Sequence, residues 1–293
     1  MKEKLRSKAF QRFLLSLIAL MLLMSFCVLT FIWKREIAES RKNAQRDNDA
    51  AIQSTMEYLD STLNSIQLLA EEIRTTPWVV KLYAAADVFV DNYDYLHRQE
   101  LIDDFLFYTG VNDRVAERFL FFPRRDICIA KQMWVSSRFY FGTVGVKAAH
   151  RDALIQTISE LTELSQIDGY EGICFERNIL IVTPIQHIRS PRAYLGTFLS
   201  REILSKEIAN NFSSGIQSVR IVRTDTGTPV LEIGECEGEA DAVFNLRYAD
   251  WRCEFRVSET LANFDTEGML RSMLVYLLIL LMTIIELKRQ KGK

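Results

Sequence analysis

Hydrophobicity along this 293-residue chain is concentrated in two uncharged runs near its ends, with alternating and helical periodicities between them. Residues 13–33 carry no charge over 21 positions. At a rise of about 1.5 Å per residue, a helix of that length crosses a hydrocarbon core of about 30 Å, so a spanning helix is expected. Residues 272–285 form a second run of 14, lengthened by Met269, Leu270 and Leu287 if Arg271 and Glu286 reach the two interfaces. A second spanning helix is expected over 269–287.

Between these runs the first signal is helical. No glycine precedes Gly110 and no proline precedes Pro77, so one helix is expected to run unbroken from about residue 10 to 75. In its outer part Ile52, Met56, Leu59, Leu63, Ile66, Ala70 and Ile73 recur at alternating spacings of 4 and 3, a heptad seam. Two readings stay open for it: a stripe packed onto the chain's own domain, or the seam of a homodimer rising from a membrane. Thr76 and Pro77 end the rod, because proline lacks an amide donor and turns its predecessor away from helical dihedrals.

Helical spacing returns over 78–90 and 97–108, and then the period shortens. Strands are expected at 116–122, 127–130 and 133–135, with a hairpin turn at Arg124, Arg125 and Asp126. A helix follows over 148–164, with Leu154, Ile158, Leu161 and Leu164 on one face, then strands at 172–176, 179–186 and 194–200. Ser200 is placed to cap a helix over 201–210, with Glu202 suiting its dipole. Four further strands, 218–224, 229–233, 242–248 and 251–257, complete a smaller β unit that leads into the second apolar run. The fold class is therefore α+β, in seven parts: a tail (1–12), a spanning helix (13–33), a stalk helix (34–75), a larger unit (76–211), a smaller unit (212–268), a spanning helix (269–287) and a tail (288–293).

Charge sets the expected orientation. Lys2, Lys4, Arg6, Lys8 and Arg12 precede the first run, and Lys288, Arg289, Lys291 and Lys293 follow the second, which places both ends in the cytoplasm and the middle outside. A cleaved signal peptide fits less well, since the apolar core is longer than the usual h-region and no small-x-small site follows Trp33. The intervening segment 34–271 holds 27 basic and 36 acidic residues, a net charge of −9. That balance disfavours nucleic acid and anionic lipid surfaces as partners of the segment and leaves a small solute or another protein.

The order of membrane helix, stalk helix, larger α/β unit, smaller β unit and second membrane helix resembles the double-Cache sensor regions of bacterial transmembrane receptors, particularly sensor histidine kinases and AraC-type transmembrane regulators of Gram-positive bacteria. Residues 179–204 (ILIVTPIQHIRSPRAYLGTFLSREIL) look like the paired strands and helix that end that family's membrane-distal unit. Residues 250–258 (DWRCEFRVS) look like the last strand of its membrane-proximal unit. The resemblance implies two PAS-like units, a small-molecule ligand bound outside a bacterial cell membrane, and an output carried by a cytoplasmic part that these residues do not include. Residues 134–140 (WVSSRFY) do not reproduce the aromatic and arginine signature of amino-acid-binding members, so an amino-acid ligand is not implied.

Catalytic chemistry finds no constellation in the sequence. Phosphate loops, nucleotide fingerprints and zincin motifs are missing, and His97, His150 and His187 show no ligand spacing. Cys27 lies in the first apolar run, and Cys128, Cys174, Cys236 and Cys253 are too scattered for a metal motif. No cofactor, metal or catalytic residue is therefore assigned. A Cys236–Cys253 disulfide and free buried thiols remain equal alternatives. The acidic stretch 232–241 reads as a solvated hairpin. The function expected is ligand sensing, with an extracytoplasmic scaffold for a protein partner as the alternative. The ligand pocket is expected in the larger unit, where Trp134, Arg138 and Tyr140 face Phe175 and Thr183 on the strands of 172–183. The rival reading makes Trp134 and Phe139 core and Arg138 a surface ion-pair partner.

With single cysteines placed at Ser40, Gly227 and Lys291, a membrane-impermeant thiol reagent added to intact cells is expected to mark the first two only. Labelling confined to position 291 would reverse the orientation.

Overall fold

The structure, a computed structural model, describes residues 2–77, 79, 102–105, 115–131, 133–187, 190–213, 215–257 and 266–291. It divides into two compact units, 1–49 together with 259–293, and 50–258. Helix α1 (Lys2–Thr75) is continuous through both. In the first unit, Phe13, Leu20, Met21, Met24 and Phe31 of α1 are exposed. So are Leu274, Leu277, Leu281 and Met282 of α6 (Thr266–Lys291). The apolar stretch of α1 has a mean hydropathy of 2.4 over its best window, which is long and apolar enough to cross a membrane, whereas the apolar part of α6 covers only Leu274–Ile285.

The second unit holds two antiparallel sheets. In the larger, strands β1 (Val115–Phe122), β2 (Ile127–Ala130), β3 (Met133–Val135), β4 (Ser165–Ile167), β5 (Asn178–His187) and β6 (Ser190–Ser200) lie in the order β3-β2-β1-β6-β5-β4. The smaller has β7 (Ile216–Arg223), β8 (Pro229–Gly234), β9 (Ala242–Asn245) and β10 (Trp251–Val257) in the order β8-β7-β10-β9. The α+β expectation holds.

Period-2 alternation decides what each face of the larger sheet covers. Leu120 and Phe122 of β1, Ile185 of β5 and Leu195 of β6 point toward α1 and pack with Leu69, Ala70 and Ile73. The opposite face presents Phe119, Phe121, Leu180, Val182, Tyr194 and Phe198 to helices α2 (Ser137–Thr143) and α3 (Ala148–Glu160), where Tyr140, Phe141, Leu154 and Ile158 meet them. A third cluster joins the sheets: Leu59, Leu63 and Ile66 of α1 pack with Ile179, Ile181 and Leu199 of the larger sheet and with Val219, Trp251 and Phe255 of the smaller. Leu204 and Ile208 of α5 (Arg201–Asn210) complete it.

The heptad seam thus spends its buried length within its own domain: Ile52, Leu59, Leu63, Ile66, Ala70 and Ile73 are all buried. The rod ends where the proline requires, with the Thr76 hydroxyl donating to the Ile73 carbonyl at 2.6 Å. Ser200 caps α5 as expected, accepting from the Ile203 amide at 3.3 Å. The expected turn after β1 is a 3-10 turn, Pro123–Arg125, closed by Asp126 in the left-handed region at φ 50°.

Two expectations need correction, and one open alternative, the state of the cysteines, is decided. Residues 173–177 form a short helix, α4 (Ile173–Arg177), rather than a strand, and the edge strand is instead β4, three residues long and without a clear apolar alternation to signal it. The helix expected over 148–164 stops at Glu160, because Leu161 turns extended at ψ 139°. All five cysteines are free: Cys253 points into the shared core beside Trp251 and Phe255, while the Cys236 sulfur sits against the backbone carbonyls of Val219 and Ile233. Of the helices expected over 78–90 and 97–108, only residue 79 and the helical turn 102–105 lie within the described residues.

Gly196 marks the tightest contact in the larger sheet. A methyl group there would come within 2.0 Å of the Phe119 ring, its cross-strand partner. Gly196→Ala is therefore expected to cost about 1–3 kcal/mol through overpacking. In the same urea titration of the full chain in detergent, Leu63→Ala is expected to cost about 2–5 kcal/mol and the exposed Leu68→Ala less than about 0.5 kcal/mol. Equal losses at Leu63 and Leu68 would show that α1 is not held by the described stripe.

Candidate functional site

The described residues place a cleft of about 340 Å³ beside the β4 edge of the larger sheet. Its rim is the loop that carries β4 into α4, read in sequence as Asp168-Gly169-Tyr170-Glu171-Gly172. Gly172 adopts φ 155°, and a β-carbon there would lie 2.3 Å from the Gly145 carbonyl oxygen, so only glycine lets the two backbone segments meet. The meeting is fixed by the bridge between Val146 and Gly172 and by the Lys147 amide donating to the Glu171 carbonyl at 3.1 Å.

Aromatic and charged groups share the lining. The Tyr170 and Phe175 rings stand 5.9 Å apart at the cleft, and the Tyr170 hydroxyl shares a 2.6 Å hydrogen bond with Thr157 of α3. Lys147 and Arg201 bring positive charge, and Asp168, Glu171 and Glu176 negative charge. Lys147 and Glu171 form an exposed ion pair across the rim, and the Lys147 ammonium holds the Glu171 carboxyl below its ordinary range. Arg201 is half-buried at the first position of α5. Burial pushes its guanidinium below the ordinary arginine value, with the Asp168 charge acting the other way.

Three lining residues also grip the smaller sheet. Gln166 accepts a 2.7 Å hydrogen bond from the indole N–H of Trp251 on β10. Asp168 accepts from Arg223 on β7 at 3.1 Å, and Arg201 donates to the Val230 carbonyl on β8. The wall of the cleft and the clasp between the sheets are therefore one set of side chains. Any solute that moves Asp168 or Arg201 acts directly on the smaller sheet.

The five residues expected to form a pocket are not brought together. Trp134 packs with the cluster on the α1 face of the larger sheet. Thr183 follows the alternation of Ile181 and Ile185 onto that same face, buried, with no partner for its hydroxyl. Tyr140 lies on the opposite face, fully buried against Phe119 and Phe141, and burial pushes its phenol well up. Glu117 approaches that hydroxyl without meeting hydrogen-bond geometry, and its own carboxyl is raised by burial. Arg138 is exposed on α2 and spends its fork on Asp152 of α3, with Nε donating at 3.0 Å. Only Phe175 lines the cleft. The 134–140 segment is a helix start, capped by Ser136 and by Asp126, whose carboxylate accepts from the Ser137 amide at 3.1 Å; Tyr140 turns into the core, whereas Phe139 stays exposed, against the reading that made it core.

Sequence reasoning missed Gln166, Asp168, Tyr170 and Arg201. The available signal was the pair of glycines framing 169–172, which marks backbone punctuation rather than a strand. Nothing local announced Arg201, whose position depends on two sheets meeting.

No protein-family model matches the chain, and no curated protein matches it. Solved structures that it resembles include sensory, extracellular and periplasmic domains. One is the isoleucine-bound sensory domain of the Campylobacter jejuni chemoreceptor Tlp3, with a TM-score of 0.44 and 12% identity over 78% of this chain and 97% of that one. Another is the extracellular domain of the putative histidine kinase vpHK1S-Z8, with a TM-score of 0.45 and 9% identity over 79% and 98%. A third is the periplasmic domain of Vibrio cholerae LuxQ, with a TM-score of 0.40 and 10% identity over 73% and 100%.

The clasp is open to direct measurement. Gln166→Ala leaves the indole N–H of Trp251, a residue only 2% exposed, without its acceptor, and is expected to cost about 1–3 kcal/mol in urea unfolding. Gln166→Glu keeps an acceptor and is expected to lose much less; equal losses would mean that packing, not the hydrogen bond, holds the joint.

Proposed function

We propose that this chain is the extracytoplasmic ligand-sensing region of a two-pass bacterial membrane receptor, built of two PAS-like units of the double-Cache kind, with both termini in the cytoplasm and an output outside these residues. One observation carries it: the cleft is lined by the residues that clasp the two sheets together, so occupancy of the cleft and the arrangement of the sheets are the same equilibrium. A solute binding one arrangement of the clasp more tightly shifts the population toward it by that difference in affinity. The shift has two routes out, α1, whose stripe packs on both sheets, and β10, the strand that precedes α6 in the chain. The protein in this role makes and breaks no covalent bond and needs no cofactor.

A membrane-anchored scaffold for an extracytoplasmic protein is the second reading. It is favoured by Val243 and Phe244, exposed at 52% and 43% on the edge strand β9, and by the filled aromatic face beneath α2 and α3.

The two readings separate in one experiment on the full chain in lipid nanodiscs. Screening a metabolite library by thermal shift is expected to find a stabilising solute, and hydrogen exchange with that solute is expected to slow at residues 165–176 and at β10. Absence of any stabilising solute, or a solute that leaves both segments unchanged, would overturn the sensing function.

A further inference from the structure

Arg201 has a bonding state that the fold alone does not explain. Its guanidinium carries five N–H donors, is half-buried, and among the described residues makes a single hydrogen bond, to the Val230 carbonyl. Among the described residues no carboxylate lies within ion-pair distance of it; Asp168, which shares the cleft, is engaged by Arg223 instead. A cation taken out of water is ordinarily compensated by a paired anion, because the desolvation of charge is otherwise uncompensated. Here Arg201 lines the 340 Å³ cleft.

The rest of the lining narrows what fits. Asp168, Glu171 and Glu176 outnumber Lys147 and Arg201, and Lys147 is already paired with Glu171. A ligand bearing several negative charges meets that carboxylate excess, whereas a single planar oxyanion can take the arginine fork through two parallel hydrogen bonds. The Tyr170 and Phe175 rings offer apolar surface for the body of such a molecule.

We infer that the cleft binds a small organic monocarboxylate with an apolar or aromatic body, its carboxylate held by Arg201 and its body lying on Phe175 and Tyr170. The inference rests on the sensing function proposed above and gives that site its ligand chemistry. It also couples the site to the clasp: a carboxylate on the remaining N–H groups of Arg201 shares the guanidinium that holds the Val230 carbonyl, so binding acts on that point of the clasp, with Gln166–Trp251 and Asp168–Arg223 beside it.

The test uses the full chain in nanodiscs and reads the change in melting temperature that each probe produces relative to the same variant without it. Benzoate and phenylacetate are expected to stabilise the protein in a concentration-dependent way. Benzamide, the neutral analogue, and citrate, a polyanion, are expected to do little. Arg201→Lys, which keeps the charge but loses the fork, is expected to weaken benzoate by roughly tenfold to a hundredfold, the effect of losing one strong charge-assisted contact. Arg201→Gln is expected to abolish the shift, and Glu176→Gln, which lowers the carboxylate excess, to enlarge it. If Arg201→Gln does not fold, the Arg201→Lys and benzamide comparisons decide the matter alone. Equal shifts with benzoate and benzamide, or an undiminished shift in Arg201→Lys, would overturn the inference. So would the absence of any shift with the two aromatic acids. In that last case a stabilising metabolite of other chemistry leaves the sensing function standing, and no stabilising metabolite at all removes both.

Discussion

Burial of one stripe of a single helix holds this protein together. Leu59, Leu63 and Ile66 are each 1% exposed, and the surfaces that cover them come from both sheets and from α5. Each sheet has only one face that can meet α1, so the two sheets are fixed relative to each other by a shared partner as much as by direct contact. Hydrophobic burial is non-directional and sets no register. The registers come from polar contacts at its margin, such as the Arg247 amide, in the connection between β9 and β10, donating to Asp60 of α1 at 2.9 Å.

That arrangement divides the larger sheet into two faces with different duties. The α1 face is mostly aliphatic, with Phe105, Phe122 and Trp134 among the side chains packed there, and buried hydroxyls such as Thr183 and Thr197 interrupt it without partners among the described residues. The helical-layer face is dense with rings, and Phe119 alone lies within 6 Å of the centroids of Tyr140, Phe141 and Phe198. A face so filled stabilises by area and ring geometry but leaves no room for a solute. Among the described residues a space for a solute lies instead at the β4 edge, beside a three-residue strand and a glycine-framed loop.

Polar groups at this edge carry the consequence for function. Among the described residues Trp251 is the largest fully buried side chain, and its indole N–H finds its acceptor in Gln166 of the other sheet. Arg223 is shared between Asp225 of its own turn and Asp168 across the joint. Contacts of this type have two satisfiable arrangements, closed on the protein or opened toward a ligand or water, whereas the apolar core has one.

What the sequence determined by itself was everything that depends on period and punctuation. The long helix, its end at Pro77, nine of the ten described strands and the Ser200 cap follow from spacings within a few residues, because backbone hydrogen bonding and side-chain alternation are local. The edge strand β4 and helix α4 escaped, being too short for a period to register and held in place by Gly145 and Val146 from elsewhere in the chain. The tertiary structure alone decided the site. A cluster of aromatic and polar residues at 134–140 read as a pocket and was dispersed instead, since a helix cap at Ser136 turned Tyr140 into the core while Phe139 stayed exposed and Asp152 occupied Arg138. Arg201, an ordinary first residue of a helix in sequence, became the cleft's under-bonded cation only because the two sheets close around it, and the burial that gives a charge its meaning is not a property of its neighbours in the chain.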